Sequence, residues 1–240
     1  MSVAEPRRQA LLLDLDGTLY RGDGPVIAYA RHLDLPPPFL STVDAYLRHG
    51  SGVVPDATDG WEAVQRLAAE HDVDPARMDA AFLASRMALA EPDCDIGMPP
   101  DLLPLLRELR PTTYLLLATN SPPDWLAALL SRLGVADVLD DVVTRADKPT
   151  GLPGILRLLA DRIDAVARPW RIFSVGDHWR NDIAPARDFG AVTGYIDRFG
   201  RADGPADAVA PTFEGVLPAI RRWAGDPDTF EQQRAASGEH

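Results

Sequence analysis

The chain is short of lysine. Of its 24 basic residues only one, Lys148, is a lysine, and the remaining 23 are arginines. A compact ammonium and a planar guanidinium are not interchangeable where a point charge is needed, so the surviving lysine marks a position of interest. The chain also lacks a positive balance. With a formal net charge of −12 it has no basic footprint for a phosphate backbone, and a nucleic-acid partner is not expected. A single cysteine, Cys94, excludes an internal disulfide framework and fits a reducing compartment. It reads as a small residue in a connecting segment. No apolar run reaches the length needed to cross a bilayer. The opening "MSVAEPRRQA" has arginines but no apolar segment beside them, so no secretion signal is read there. The expectation is a cytoplasmic protein without a membrane partner.

What is present is an ordinary globular composition, 46% hydrophobic and 25% charged, in 240 residues. That length suits one large domain or a core with a smaller insert. Five apolar runs read as strands: Ala10–Leu13, "TYLLLAT" (Thr113–Thr119), "DVLDDVV" (Asp137–Val143), "RIFSVG" (Arg171–Gly176) and "AVTGYI" (Ala191–Ile196). Amphipathic stretches lie between the later ones: Asp124–Gly134, Leu152–Ile163 and Asp182–Gly190. Gly134 and Gly190 fall where helix-ending glycines belong. Strands alternating with helices imply βαβ units, hence an α/β fold with a Rossmann-like parallel sheet.

The stretch between Leu13 and Thr113 is too long for one crossover. It reads as helical: "PFLSTVDAYLRHG", "DATDGWEAVQRLAAEHD" with Trp61, Val64, Leu67 and Ala68 at helical spacing, and "DPARMDAAFLASRMALA" opened by Asp74 and Pro75. The expected organisation is a core of residues 1–22 and 97–224, a small helical insert of residues 23–96, and a frayed polar tail of residues 225–240. "EPDCDIGMPP" reads as the returning hinge, and "PDLLPLLREL" as the core helix that follows it.

In an open parallel sheet, ligands bind beyond the carboxyl ends of the strands. Asp14, Asp16, Gly17 and Thr18 follow the first strand. Thr119, Asn120 and Ser121 follow the second. Lys148 lies just beyond the third, and Gly176, Asp177 and Asp182 follow the fourth. Four carboxylates sharing one edge repel one another and take up protons unless a cation intervenes. An all-oxygen acidic site favours Mg²⁺, which keeps few carboxylates and completes its shell with water and phosphate oxygens. Lys148 neutralises a further charge, and hydroxyls and amides suit phosphate oxygens. A carboxylate such as Asp14 can attack phosphorus, and Asp16, two residues on, can exchange protons with the leaving oxygen and with water.

"DLDGTL", Thr119 in "LLLATN", Lys148 in "DKP" and "GDHWRND" together resemble the four sequence motifs of the haloacid dehalogenase (HAD) superfamily, in order and each after the expected strand. The resemblance spans roughly residues 10 to 220. It implies Asp14 as nucleophile, Asp16 as general acid/base, and Asp177 as a Mg²⁺ ligand together with Asp14 and the carbonyl of Asp16. Asp182 is implied to support the metal or orient Lys148. Thr119, Asn120 and Lys148 are implied to hold the transferring phosphoryl group. The insert's place between the first two motifs resembles a C1 cap, with "YRGDG" and "EPDCDIG" as hinges. His178 and Arg180 depart from the small residues common in the fourth motif, and Arg180 is read as a solvated loop residue. His32, His49 and His71 read as structural, and Trp61 and Phe82 as core of the insert.

The expected activity is a Mg²⁺-dependent phosphomonoester hydrolase working through an aspartyl-phosphate on a small phosphorylated metabolite, as a monomer or homodimer. A phosphomutase is the alternative, because it uses both aspartates. A 2-haloacid dehalogenase needs no second acid after its nucleophile. A phospho-acceptor switch would keep its phosphoryl group, which Asp16 works against.

Overall fold

The computed structural model describes residues 7–91 and 93–238. The first six residues of the N-terminal stretch, and Pro92 of the returning hinge, lie outside them. Among the described residues six strands, β1 (Gln9–Leu13), β2 (Thr113–Ala118), β3 (Asp141–Val143), β4 (Ile172–Gly176), β5 (Val192–Ile196) and β6 (Ala208–Ala210), form one all-parallel sheet in the order β3-β2-β1-β4-β5-β6. Ten α-helices among the same residues accompany them: α1 (Gly24–His32), α2 (Pro37–His49), α3 (Gly60–Ala69), α4 (Pro75–Ala88), α5 (Leu102–Leu109), α6 (Leu126–Arg132), α7 (Leu152–Arg162), α8 (Ala184–Phe189), α9 (Phe213–Gly225) and α10 (Pro227–Ser237). This is the α/β, Rossmann-like architecture expected of the sequence.

The sheet is covered on both faces, which is why its strands are apolar runs rather than alternating ones. Alternation along each strand decides which residue serves which face. Ala10, Leu12, Leu116, Ala118 and Ile172 pack with Leu152, Leu156, Leu159 and Ala160 of α7 and Ala186 of α8. Phe173, next to Ile172, turns to the other face and meets Trp223 of α9 edge-on at 5.4 Å. The strand order reverses direction between β1 and β4, where Leu13 stands in register with Val175. Residues following those two strands therefore emerge side by side at the switch point.

The chain divides into two compact units. One comprises residues 1–20, 98–123 and 134–240, and holds the whole sheet. The other comprises residues 21–97 and 124–133. The segment carrying α6, read from sequence as part of the core, belongs to this second unit. Its Arg132 donates to the carbonyls of Leu89 (2.8 Å) and Cys94 (3.0 Å), which ties α6 to the end of the helical insert. Inside this unit, Asp59 caps α3 by accepting from the Glu62 N–H at 2.7 Å, and the Glu62 carboxylate reaches back to the Thr58 N–H at 2.9 Å. Tyr29, Trp61 and Phe82 form a ring cluster, with the Arg86 guanidinium 4.0 Å from the Trp61 centroid and 5.6 Å from that of Trp125. His32, His49 and His71 are exposed.

One expectation is corrected: within the tail expected to fray, the described residues form α10 (Pro227–Ser237). Asp226 caps it, accepting from the Asp228 and Thr229 N–H groups. Asp228 pairs with Arg171 and Trp170, and Arg234 with Asp207 and the Ala191 carbonyl. Polar anchoring leaves no apolar periodicity to read. The edge strand β6 is three residues long, too short to carry a readable pattern in the sequence.

Candidate active site

The first strand delivers Asp14 to the switch point. Its N–H donates to the Val175 carbonyl at 3.0 Å, extending the β1–β4 pairing by one residue and fixing the start of the side chain. The chain must then turn sharply. Gly17 has φ +77°, and a methyl there would stand 1.9 Å from an Asp177 carboxylate oxygen. Glycine is thus required twice over, for the turn and for the approach of Asp177. Gly176 serves the same end without a special φ, since a methyl at that position would meet the Asp182 carboxylate at 2.5 Å.

The fourth strand delivers Asp177. A single π-type turn, Trp179–Ile183, then brings Asp182 back over the strand end. Asp182 is held from three directions. Its carbonyl accepts from the Ser174 hydroxyl at 3.1 Å, and one carboxylate oxygen accepts from the His178 N–H at 3.2 Å. The other oxygen takes the Lys148 ammonium at 2.6 Å. His178 also caps the turn, its Nδ1 accepting from the Asn181 N–H at 3.3 Å, while Arg180 is exposed.

Lys148 reaches the same point from the loop after β3. That loop is tied to the end of β2: Arg145 N–H donates to the Ser121 carbonyl at 3.0 Å, and Ala146 N–H to that of Thr119 at 2.9 Å. Arg145 and Asp147 both have positive φ, 48° and 51°. Asn120 clamps Lys148 itself. Its carboxamide oxygen accepts from the Lys148 N–H at 2.7 Å, and its NH₂ donates to the Lys148 carbonyl at 3.0 Å. The Asn120 side chain thus holds the lysine backbone, a contact that the sequence did not suggest. Thr119 likewise uses its hydroxyl as acceptor for the Ser121 N–H at 3.1 Å, which leaves the hydroxyl proton available.

The ammonium of Lys148, 8% exposed, bridges Asp14 and Asp182 at 2.6 Å each. Burial disfavours its charge, but the two carboxylates overcome that and hold it well above the ordinary lysine range. One cation does not balance this many acids. Burial first, then the neighbouring Asp182 and Asp16, push Asp14 up to about 7 against the opposing pull of Lys148. Oxygens of Asp14, Asp177 and Asp182 lie within 4.8 Å of one another. Such a donor set, all hard oxygen and in excess of its own cation, fits a divalent ion such as Mg²⁺ and not a soft metal. The Asp16 carboxylate is not part of that trio. It accepts from the hydroxyl of Tyr20, which the sequence reading passed over. Its only signal was an aromatic with a polar tip four residues after an acid.

A family model for haloacid dehalogenase-like hydrolases matches residues 9–190. The chain belongs to that family. The match takes in Asp14, Asp16, Thr119, Asn120, Lys148, Asp177 and Asp182. Solved HAD structures share the fold at low identity. A predicted phosphoglycolate phosphatase from Haemophilus somnus 129PT superposes with a TM-score of 0.65 at 18% identity, covering 90% of this chain and 99% of that one. A 2-haloacid dehalogenase from Pseudomonas syringae pv. tomato DC3000 gives 0.54 at 20%, covering 90% and 99%. YfnB from Bacillus subtilis, a HAD-hydrolase by name and solved bound to magnesium, gives 0.62 at 16%, covering 89% and 99%. Among curated proteins none matches the chain in sequence. Among the described residues of this HAD hydrolase, no helix is long and apolar enough to cross a membrane.

Proposed function

We propose that this HAD hydrolase is a phosphatase that cleaves a phosphomonoester of a small metabolite through an aspartyl-phosphate on Asp14, with Mg²⁺ as its cofactor. The observation that carries the reading is the division of labour between two carboxylates only two residues apart. Asp14 belongs to the charged trio and is gripped by Lys148, whereas Asp16 stands outside it with a different partner. Separated environments are how two carboxylates take different roles. A dehalogenase has no use for the second acid, so Asp16 favours phosphate chemistry. The magnesium-bound relative and the one named a phosphoglycolate phosphatase support the reading without fixing it.

Asp14, Asp177 and Asp182, with the carbonyl of Asp16, would hold the ion. When bound, it neutralises phosphoryl charge and frees Asp14 to remain ionised. Asp14 attacks phosphorus as Asp16 gives its proton to the leaving oxygen. Asp16, now a carboxylate, takes a proton from the water that opens the aspartyl-phosphate. Lys148 keeps Asp14 aimed and shares the charge of the transferring group, and Asn120 holds Lys148 in place. Thr119 donates its free hydroxyl proton to a phosphoryl oxygen. Positioning and charge neutralisation carry most of such a reaction.

A panel of phosphomonoesters assayed with Mg²⁺, wild type beside Asp14→Asn, tests this. Phosphate release by wild type that the variant loses supports the proposal. Halide release from 2-haloacids without phosphatase activity would replace it with the dehalogenase reading.

A further inference from the structure

Tyr20 is 2% exposed, yet its hydroxyl donates to Oδ1 of Asp16. The local backbone enforces this meeting. Leu19 and Tyr20 both direct their N–H groups at the Leu15 carbonyl, at 3.0 and 3.3 Å, and Asp16 and Tyr20 pair as a bridge outside the main sheet. The turn at Gly17 makes that closure possible. A buried phenol aimed at one oxygen of one carboxylate selects a rotamer, because leaving either group unsatisfied is costly.

We propose that Tyr20 is the positioning residue for Asp16, fixing which carboxylate oxygen carries the proton. This rests on the reading of Asp16 as acid and base. Oδ1 accepts from Tyr20 whether Asp16 is neutral or ionised, since a carbonyl-type oxygen keeps its lone pairs in both states. The mobile proton is thereby confined to Oδ2. As the Asp14–phosphorus bond forms and the bond from phosphorus to the leaving oxygen breaks, the Oδ2 proton moves to that oxygen. When water then attacks, its oxygen bonds to phosphorus, the Asp14–phosphorus bond breaks, and Oδ2 takes the water's proton. Tyr20 keeps its own proton throughout and touches no reacting atom.

The test is a double-mutant cycle of Tyr20→Phe and Asp16→Asn, read as kcat/KM for p-nitrophenyl phosphate and for an alkyl phosphate such as glycerol 2-phosphate. Tyr20→Phe keeps the buried ring and removes only the hydroxyl, and circular dichroism and thermal unfolding verify its fold. The nitrophenolate departs without a proton, whereas the alkoxide needs one. The expected result is a fall of about 10- to 100-fold for the alkyl ester and less than about threefold for the nitrophenyl ester. In the Asp16→Asn background, Tyr20→Phe should cost nothing more. Equal losses on both esters, or losses that add to those of Asp16→Asn, overturn the positioning role while leaving the phosphatase reading intact. A wild type that releases phosphate from neither ester nor any other in the panel overturns both.

Discussion

The two compact units bury charge in opposite ways. At the sheet edge one lysine, brought from the loop after β3, bridges Asp14 and Asp182 with Asp177 beside them. In the helical unit, Arg86 (4% exposed) lies over Trp61 and Phe82, with Trp125 beside them. The first arrangement is an excess of carboxylates over their one ammonium, a donor set that suits a divalent cation. In the second, an arginine stem and plane pack against aromatic rings. Reactivity should therefore be concentrated in one unit, and substitutions should separate them by what they damage.

The largest effect is expected at Asp14. Asp14→Asn should lower phosphatase kcat/KM by about 10⁴-fold or more, the scale of losing a nucleophile. Its effect on stability should run the other way. A carboxyl whose folded pKa is raised to about 7 gains a proton on folding between its unfolded value and 7. Wild-type stability therefore falls as pH rises through that window. The asparagine variant lacks this slope. Without metal, its unfolding midpoint should gain on wild type from pH 5 to pH 8, with saturating Mg²⁺ shrinking the gap. A gap that is flat with pH would mean that Lys148 alone satisfies Asp14.

Lys148→Met comes next. It leaves two buried carboxylates against each other, so stability should drop by about 3–5 kcal/mol in chemical denaturation at pH 8. Below pH 6, where Asp14 takes up its proton, the loss should narrow. Lys148→Arg should keep the charge but lower kcat about 100-fold or more, because a planar fork does not replace a buried point charge between two oxygens 2.6 Å away. Full activity in the arginine variant would break the argument from lysine scarcity.

That argument shows what the sequence makes legible. Asp14, Asp177 and Lys148 can be placed near one another from sequence because strand ends in a parallel sheet share an edge, and strand ends are visible as apolar runs. Gly176 and Gly17 follow from the same logic once the carboxylates meet. Asn120 was placed at that edge, but its grip on the Lys148 backbone depends on the fold of two loops and has no pattern in one dimension. The same holds for Tyr20, and for α6, whose amphipathic period announces a helix but not which unit it packs in. The tail helix was missed for the reverse reason: its anchors are charges, and charge runs read as solvated ends.

Asn120→Ala tests the loop logic at a smaller scale. It removes two hydrogen bonds to one backbone unit and no charge. Lys148 should lose its aim, with kcat lower by about tenfold and KM nearly unchanged. A rise in KM alone would instead return Asn120 to direct phosphate binding.

The smallest catalytic effect should come from the other unit, and this separates the two regions most sharply. Arg86→Met keeps a long flexible stem but removes the cation over Trp61, 4.0 Å from its centroid. The expected cost is about 1–2 kcal/mol of stability, the size of a desolvated cation–π contact, seen as a lower unfolding midpoint. Turnover of p-nitrophenyl phosphate should stay within about twofold, since the described rings around Arg86 all belong to the helical unit. A variant with an unchanged midpoint and turnover lower by tenfold would reverse the assignment. Arg86 would then serve the reaction, and charge in the helical unit would be as functional as charge at the sheet edge.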